Sequence, residues 1–354
     1  MNISVMNSKD NWNIFSKNRN AIYGVAIISI MIFHFFEDIA NSNLSGGGLG
    51  FLGKLYNTFI GSVGVEFFVF LSGVGLYFSM SKDSNILHFF QKRIKRILPA
   101  YLMVAIPYWI VIDLIIMQKG VKMFAFDFGF VTFFTQGTRT FWYVLFIVFA
   151  YLIYPFVYKI LHVKWSDWGQ LLILLIIALV IQFLPRIVAP VLNLNIEILL
   201  GRFLVFFIGC WCGKKVYQNA CINNIDKMGI LFGVMIMLCG FLPVTKIVVS
   251  KLGFRILMCF WGIFLLYCIA VSMRKMPKRI VKILEQFGKM SYELYLTHVA
   301  IRALMNVIGI KTFYFQNYVF CILISLFCKR LNFRHGYKNP RPHFCNRSTL
   351  IIHI

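Results

Sequence analysis

Long apolar runs alternate with short polar segments along most of the chain. A helix needs about 20 apolar residues to cross a hydrocarbon core that is roughly 30 Å thick. Ten runs predict such membrane-spanning helices, and the tenth is the shortest. The runs cover residues 21–39, 58–80, 97–117, 141–160, 170–188, 196–213, 229–249, 253–273, 290–310 and 314–328.

This pattern divides the chain into three regions and predicts an all-α polytopic membrane helix bundle. Residues 1–20 are a polar N-terminal segment without the apolar core of a signal peptide. Residues 21–328 form the predicted transmembrane domain, and residues 329–354 form a basic tail that we expect to be disordered. The longest connection, residues 118–140, is apolar but too short to cross, which predicts a re-entrant or interfacial stretch.

The composition supports the membrane class. Hydrophobic residues make up 60% of the 354 residues, charged residues make up 14%, and the mean hydropathy is +0.77. A soluble domain of this composition would expose too much apolar surface to water. We therefore expect a multi-pass protein of the cell membrane.

The net charge of +24 follows the predicted topology. Most of the 36 Lys and Arg residues lie in segments on one side of the runs, as in the clusters at 92–96 and 274–279. The positive-inside rule assigns that side, and both termini, to the cytoplasm. Topology and attraction to anionic membrane lipid therefore explain the excess charge, and we expect no nucleic-acid partner.

The nine cysteines do not form a metal-binding or disulfide pattern. Most of them lie within the apolar runs. Cys210 and Cys212 are two positions apart on a predicted helix, so their side chains point to different faces. Buried cysteines commonly act as small packing residues, and we expect neither disulfides nor a bound metal ion.

Five ionisable residues interrupt the apolar runs, and such residues usually face the bundle interior and mark function. They are His34, Glu66, Arg202, His298 and Arg302. Structural explanations remain open: a neutral histidine bonded to a neighbouring helix, or an ion pair of Glu66 with Arg202. His298 also shares a helix face with Tyr295 at i−3 and Arg302 at i+4, which favours a structural network.

Six stretches, in order over residues 17 to 310, resemble the membrane acyltransferase-3 family. The first ends in a histidine–aromatic pair, and the third carries a basic run before Pro-x-Tyr. Each stretch is a weak signal alone because Gly and Phe are common in membranes, but six in order are a strong one. The stretches read IMIFHF, GSVGVEFFVFLSGVGLYFS, FFQKRIKRILPAY, FWYVLFIVFAYLIYP, GRFLVFFIGCWCG and GKMSYELYLTH.

The resemblance implies an O-acyltransferase, above all an O-acetyltransferase. Such an enzyme moves an acyl group from cytoplasmic acetyl-CoA to a hydroxyl of an extracytoplasmic or lipid-linked sugar or polysaccharide. The family's catalytic base is a histidine of the first helix, which corresponds to His34. The family's arginine eleven residues earlier is replaced here by Tyr23, and Arg19 lies one helical turn before it on the same face. The resemblance, together with the Ile, Phe, Lys and Asn content, also implies a bacterial cytoplasmic membrane.

A neutral imidazole suits a general base near neutral pH, so His34 would take the proton of the acceptor hydroxyl. Glu66 and His298 complete the predicted catalytic set, Glu66 as an orienting carboxylate and His298 as a second acid, base or acyl relay. Because arginine matches phosphate oxygens, four arginines are predicted to bind acyl-CoA. They are Arg19, Arg93, Arg96 and Arg202, and the residues predicted to contact substrate are Tyr23, Trp142 and Tyr295.

Two other functions remain open from the sequence. Intramembrane His, Glu and Arg residues also build the proton relays of transporters, which makes a proton-coupled transporter or sugar-lipid exporter the main alternative. The sequence pattern does not show the pair of interrupted helices in matching halves that often marks such transporters. The segment after residue 328 does not resemble the family, and an inactive homologue is therefore the third interpretation.

Overall fold

Helices form nearly all of the described chain. The computed structural model describes residues 11–41, 47–240 and 251–309. Within these ranges, extended backbone pairs only at an isolated bridge between Asn11 and Cys221, so the predicted all-α class is confirmed. The α-helices are α1 (Ile14–Lys17), α2 (Arg19–Ala40), α3 (Gly48–Phe59), α4 (Gly64–Lys82), α5 (Ile86–Trp109), α6 (Val121–Phe128), α7 (Val131–Gln136), α8 (Trp142–Ile160), α9 (Asp167–Val188), α10 (Pro190–Leu200), α11 (Phe203–Tyr217), α12 (Asn224–Gly240), α13 (Lys251–Ser272), α14 (Lys278–Lys289) and α15 (Ser291–Val307), with a 3-10 turn at Gly61–Val63 and a π-helical segment at Ile110–Ile116.

Seven helical segments of the described ranges are long and apolar enough to cross a membrane, as a polytopic membrane protein requires. Helices α12 and α15 coincide with two further predicted runs and have 17 described residues each, about 25 Å of helix. The tenth predicted run, 314–328, and the predicted tail, 329–354, lie outside the described residues. The count of ten spans and the cytoplasmic side of both termini stay predictions. The seven segments are Arg19–Ala40, Gly48–Lys82, Ile86–Ile116, Trp142–Ile160, Asp167–Val188, Pro190–Tyr217 and Arg255–Ser272.

A side-chain cap determines where α5 begins. Asn85 accepts hydrogen bonds from two backbone N–H groups of the first helical turn, at 2.9 and 3.2 Å. Nearby, Lys92 donates to Asp83 at 2.8 Å, and this hydrogen bond lowers the pKa of the Asp83 carboxyl. Arg93 and Arg96 follow at a spacing of i, i+3, so their side chains lie on the same face of α5.

Helix α2, which carries His34, packs closely against α14 through glycines. A Cβ atom at Gly24 would collide with the backbone carbonyl of Leu284, and one at Gly288 would collide with that of Asn20. Small residues let membrane helices approach until their backbones touch, because no side chain separates them. This contact holds α2 at a fixed position in the bundle.

The connection at residues 118–140 forms two short helices, α6 and α7, of 8 and 6 residues. Neither helix is long enough to cross a bilayer, in agreement with the prediction of a stretch that does not span. The hydroxyl of Tyr101 on α5 donates to the Phe128 carbonyl at 2.8 Å, and Thr132 hydrogen-bonds to Asp127. These bonds attach the connection to the bundle beside α5.

Candidate active site

Polar residues of α2 and α15 meet in one ionic cluster. On α2, His34, Glu37 and Asp38 occupy positions i, i+3 and i+4, which places their side chains on one helix face. Arg302 of α15 binds both carboxylates, with its Nε 3.0 Å from each Asp38 oxygen and its Nη2 3.0 Å from Glu37 Oε2. His34 Nδ1 lies 3.0 Å from the same Glu37 oxygen. We call these four residues the His34 cluster.

The His34 cluster contains one more carboxylate than guanidinium. Two carboxylates face one guanidinium, which leaves one negative charge while the imidazole is neutral. Asp38 is only 4% exposed, so Arg302 and not water stabilises its charge. The cluster therefore places a carboxylate beside the imidazole, the arrangement that orients a histidine for general-base catalysis.

The two contacts of His34 Nδ1 correspond to different tautomers. Glu37 accepts a hydrogen bond only if Nδ1 carries the proton, whereas Arg302 Nη1, 3.1 Å away, donates only to an unprotonated Nδ1. The tautomer with the proton on Nδ1 leaves a lone pair on Nε2. That form, held by Glu37, is the one that can accept a proton from a hydroxyl.

A second histidine lies beside the His34 cluster. The ring centroids of His34 and His298 are 5.5 Å apart, and His298 has no exposed surface. Its Nδ1 lies 2.8 Å from the Leu294 carbonyl oxygen, which can only accept, so Nδ1 carries the proton. Its Nε2 has no hydrogen-bond partner among the described residues. Because buried polar atoms are rarely left unpaired, this lone pair marks His298 as a hydrogen-bond acceptor available at the site.

A cavity of about 900 Å³ opens at His34. Five of the predicted site residues line it: His34, Glu66, Trp142, Arg202 and Tyr295. Glu66 and Arg202 form an ion pair, and the Arg202 guanidinium carbon lies 5.7 Å from the centre of the Trp142 ring. The volume is in the range of small-molecule binding sites. We call this space the histidine cavity.

A smaller pocket of about 70 Å³ contains the other predicted arginines. Arg19, Tyr23, Arg93 and Arg96 line it, and Gly75 leaves room for Arg19, because a Cβ atom there would lie 2.5 Å from Arg19 Nη2. The Nε atoms of Arg19 and Arg93 are buried and have no hydrogen-bond partner among the described residues. Cationic donors without partners favour an anionic ligand. We call this space the arginine pocket.

The histidine cavity and the arginine pocket share a wall. Ile30, Val65 and Tyr295 line both spaces. Arg19 and His34 are 15 residues apart on α2, about 22 Å along the helix axis, so the two sites lie at different depths. The hydroxyl of Tyr295 accepts a hydrogen bond from the backbone N–H of Tyr143 at 3.3 Å, which fixes its ring in the wall. Three side chains therefore separate the arginine pocket from the histidine cavity.

The structure groups some predicted residues differently from the sequence. Arg202 was predicted with the acyl-CoA arginines, but it lies in the histidine cavity, where it pairs with Glu66. Tyr23 lines the arginine pocket. Arg302, which the helix spacing placed in a network with His298, reaches across to the carboxylates of α2.

Sequence reasoning missed three charged residues of the site. Glu37 and Asp38 come at the end of the first apolar run, where polar residues are ordinary, although their spacing from His34 is a usable signal. Arg255 is the third residue of the eighth run, and its position there is typical of a cation at a membrane boundary. In the structure it lines the histidine cavity.

The fold and the site define a polytopic membrane protein with an acid–base cluster in a polar cavity. A family model described as an acyltransferase domain (acyltransferase 3) matches residues 20–329. The chain belongs to this family of membrane acyltransferases. The match includes the whole His34 cluster and begins one residue after Arg19. Comparison with curated proteins and with solved structures gives no match.

Proposed function

We propose that this membrane acyltransferase is an O-acetyltransferase, with acetyl-CoA as the donor and a hydroxyl of a sugar or polysaccharide as the acceptor. One observation carries the proposal. The imidazole of His34 is held by Glu37, which Arg302 holds in turn, at the edge of a cavity large enough for a sugar. An oriented histidine with a carboxylate partner is the usual base for making a hydroxyl nucleophilic.

The arginine pocket supports acyl-CoA as the donor. Its three arginines match the several charged oxygens of phosphate groups better than they match a neutral ligand. The positive-inside pattern assigns this end of α2 to the cytoplasm, where acyl-CoA is found. To reach His34, the thioester end has to pass the wall formed by Ile30, Val65 and Tyr295.

The transfer follows from the geometry of His34. Nε2 takes the proton of the acceptor hydroxyl while the hydroxyl oxygen attacks the thioester carbonyl carbon. The acyl C–O bond forms, the C–S bond breaks, and the proton passes from His34 to the departing thiolate. Glu37 holds the Nδ1 proton during this exchange, and Arg302 holds Glu37. The free lone pair of His298 suits a proton or acyl relay beside His34.

The histidine cavity is the proposed acceptor site. Trp142 offers an aromatic surface for a sugar ring, with charged groups around it for the hydroxyls. The excess of Lys and Arg assigns the end of α2 opposite to His34 to the cytoplasm, so His34 lies toward the extracytoplasmic face. The proposed acceptor therefore enters from that face. The proposed location is the cytoplasmic membrane of a bacterium, in contact with anionic lipid.

Labelled acetyl-CoA tests the proposal directly. Membranes that contain the protein are expected to transfer label to surface polysaccharide as an ester that mild alkali releases. Membranes without the protein serve as the control. Movement of sugar across the membrane without covalent label would favour the transporter. The absence of both label transfer and sugar movement would favour an inactive homologue.

The donor site predicts an effect on KM. Arg93→Gln is expected to raise the KM for acetyl-CoA about tenfold, since a hydrogen bond to a charged group is worth roughly 1.5–3 kcal/mol. Initial rates at varied acetyl-CoA concentration measure this change. Lys95→Gln is the matched control because Lys95 belongs to the same basic run, is exposed and does not line the arginine pocket. Equal changes in KM for both variants would contradict the assignment.

A further inference from the structure

Three arginines that do not belong to the His34 cluster also line the histidine cavity, and they come from different parts of the chain. Arg139 precedes α8, Arg202 precedes α11, and Arg255 lies on α13. Arg255 lies close enough to Arg139 and Arg202 for the positive charges to repel one another. Such repulsion destabilises the cavity unless negative charge is close by. We call these residues the cavity arginines.

The chain supplies too few carboxylates for the cavity arginines. Glu66 pairs with Arg202, and Glu197 lies 4.0 Å from Arg139. Arg255 makes no ion pair or side-chain hydrogen bond among the described residues; Glu197 attracts it from beyond ion-pair distance, but Arg139 shares that carboxylate. The chain has 12 acidic residues, and only Asp10 is outside the described ranges. Three guanidiniums therefore share two carboxylates.

Two further details support a binding role for this surplus charge. A Cβ atom at Gly201 would lie 2.8 Å from Arg255 Cδ, so the glycine leaves space for the Arg255 side chain beside the cavity. Arg202 is 9% exposed, and its Nε is a buried donor without a partner in the described part of the chain. An unpaired buried donor on a charged group is costly, and an anion would satisfy it. Trp142 stacks near Arg202 and adds a surface for a ring.

We propose that the acceptor sugar carries an anionic oxygen group, a carboxylate or a phosphate, and that Arg255 binds this group together with Arg139 and Arg202. The inference rests on the proposed function, because it describes the acceptor of the same site. Arginine forms paired hydrogen bonds with both groups, so charge and geometry agree. The bound anion orients the sugar so that a hydroxyl can face His34, whose own cluster has the opposite charge balance.

Binding of three small probes to the purified full-length protein in lipid nanodiscs, without any acyl donor, tests the inference. The probes are methyl glucuronide, glucose 1-phosphate and neutral methyl glucoside. At least one charged probe is expected to bind about tenfold more tightly than the neutral one, as one charged hydrogen-bonded contact allows. Arg255→Gln is expected to remove this preference, and Arg255→Lys to keep part of it because the charge remains.

Arg186→Gln is the matched control, because Arg186 is exposed on α9 and does not line the histidine cavity. Preference for methyl glucuronide would assign the anion to the sugar itself, and preference for glucose 1-phosphate would assign it to a phosphate linkage. Equal binding of all probes, binding of none, or an equal loss in Arg186→Gln would overturn the inference. Acetyl transfer is measured separately, so transfer by the wild-type protein that is as efficient with neutral as with charged sugars would overturn the anionic acceptor and leave the acyltransferase intact.

Discussion

His34→Ala is expected to lower the kcat of acetyl transfer by about 100- to 10,000-fold, which is the usual contribution of a positioned general base. The KM for acetyl-CoA should change little, because the arginine pocket is about 22 Å away along α2. The loss arises because the acceptor hydroxyl no longer has a group to take its proton. Initial rates of label transfer in membranes, at equal protein expression, measure the effect.

Control variants distinguish the loss of the catalytic base from a general loss of structure. His88→Ala should keep wild-type rates, because the His88 side chain is 58% exposed and lies outside the histidine cavity. His34→Gln keeps a polar side chain but cannot accept the proton, and it should be as slow as His34→Ala. Full activity of either His34 variant would remove His34 from the base role. His298→Gln in the same assay shows whether the Nε2 lone pair of His298 takes part in acetyl transfer.

Arg302→Gln is expected to give the second large effect, on stability as well as on rate. Asp38 is 4% exposed, and removal of Arg302 leaves its carboxylate buried without its cationic partner. Breaking one side of such a pair costs about 3 kcal/mol. The rate should also fall about 100-fold or more, because Glu37 loses the group that holds it, and Glu37 positions His34. Thermal unfolding and initial rates report the two effects separately.

The double variant Asp38→Asn with Arg302→Gln separates the structural role of Arg302 from its positioning role. Removing both charges should recover most of the lost stability, since no buried charge is left unpaired. Activity should stay low, because Glu37, which positions His34, still lacks the guanidinium that holds it. Recovery of both stability and rate would show that Arg302 has a structural role only.

The two histidine environments explain why such a cluster can exist in an apolar bundle. Each charge of the His34 cluster has an opposite charge within hydrogen-bonding distance, which reduces the cost of keeping it away from water. His298 carries no formal charge in its neutral form, and its Nδ1 proton is bonded to the Leu294 carbonyl. The site therefore places a charged cluster beside a neutral histidine, with the ring centroids of His34 and His298 5.5 Å apart.

Much of the fold could be predicted because the bilayer imposes simple rules. The first run, 21–39, nearly matches α2 at Arg19–Ala40, and the fourth, 141–160, nearly matches α8 at Trp142–Ile160. A helix has to be apolar over the full thickness of the hydrocarbon, so its length appears directly in the sequence. The sixth run, 196–213, was less informative, because α10 and α11 break at Gly201 and Arg202, where the site begins.

The candidate site was predictable in part. A histidine in an apolar run is conspicuous, which is why His34 and His298 stood out. Glu37 and Arg255 did not, because charged residues near the end of a run are ordinary. Their importance depends on neighbours that are distant in sequence: Arg302 and Asp38 are 264 positions apart. No local period encodes such a contact.

Residue type along each helix was enough to predict the class of membrane bundle, the family resemblance and the intramembrane residues that carry charge. Which charges meet depends on the packing of the helices: Arg302 meets Glu37 and Asp38, Glu66 meets Arg202, and Arg255 has no ion-pair partner among the described residues. Packing brings together side chains that are far apart in sequence, and no pattern along one helix specifies those partners. Close contacts such as those at Gly24 and Gly288 fix where α2 lies, and with it which charges His34 can reach.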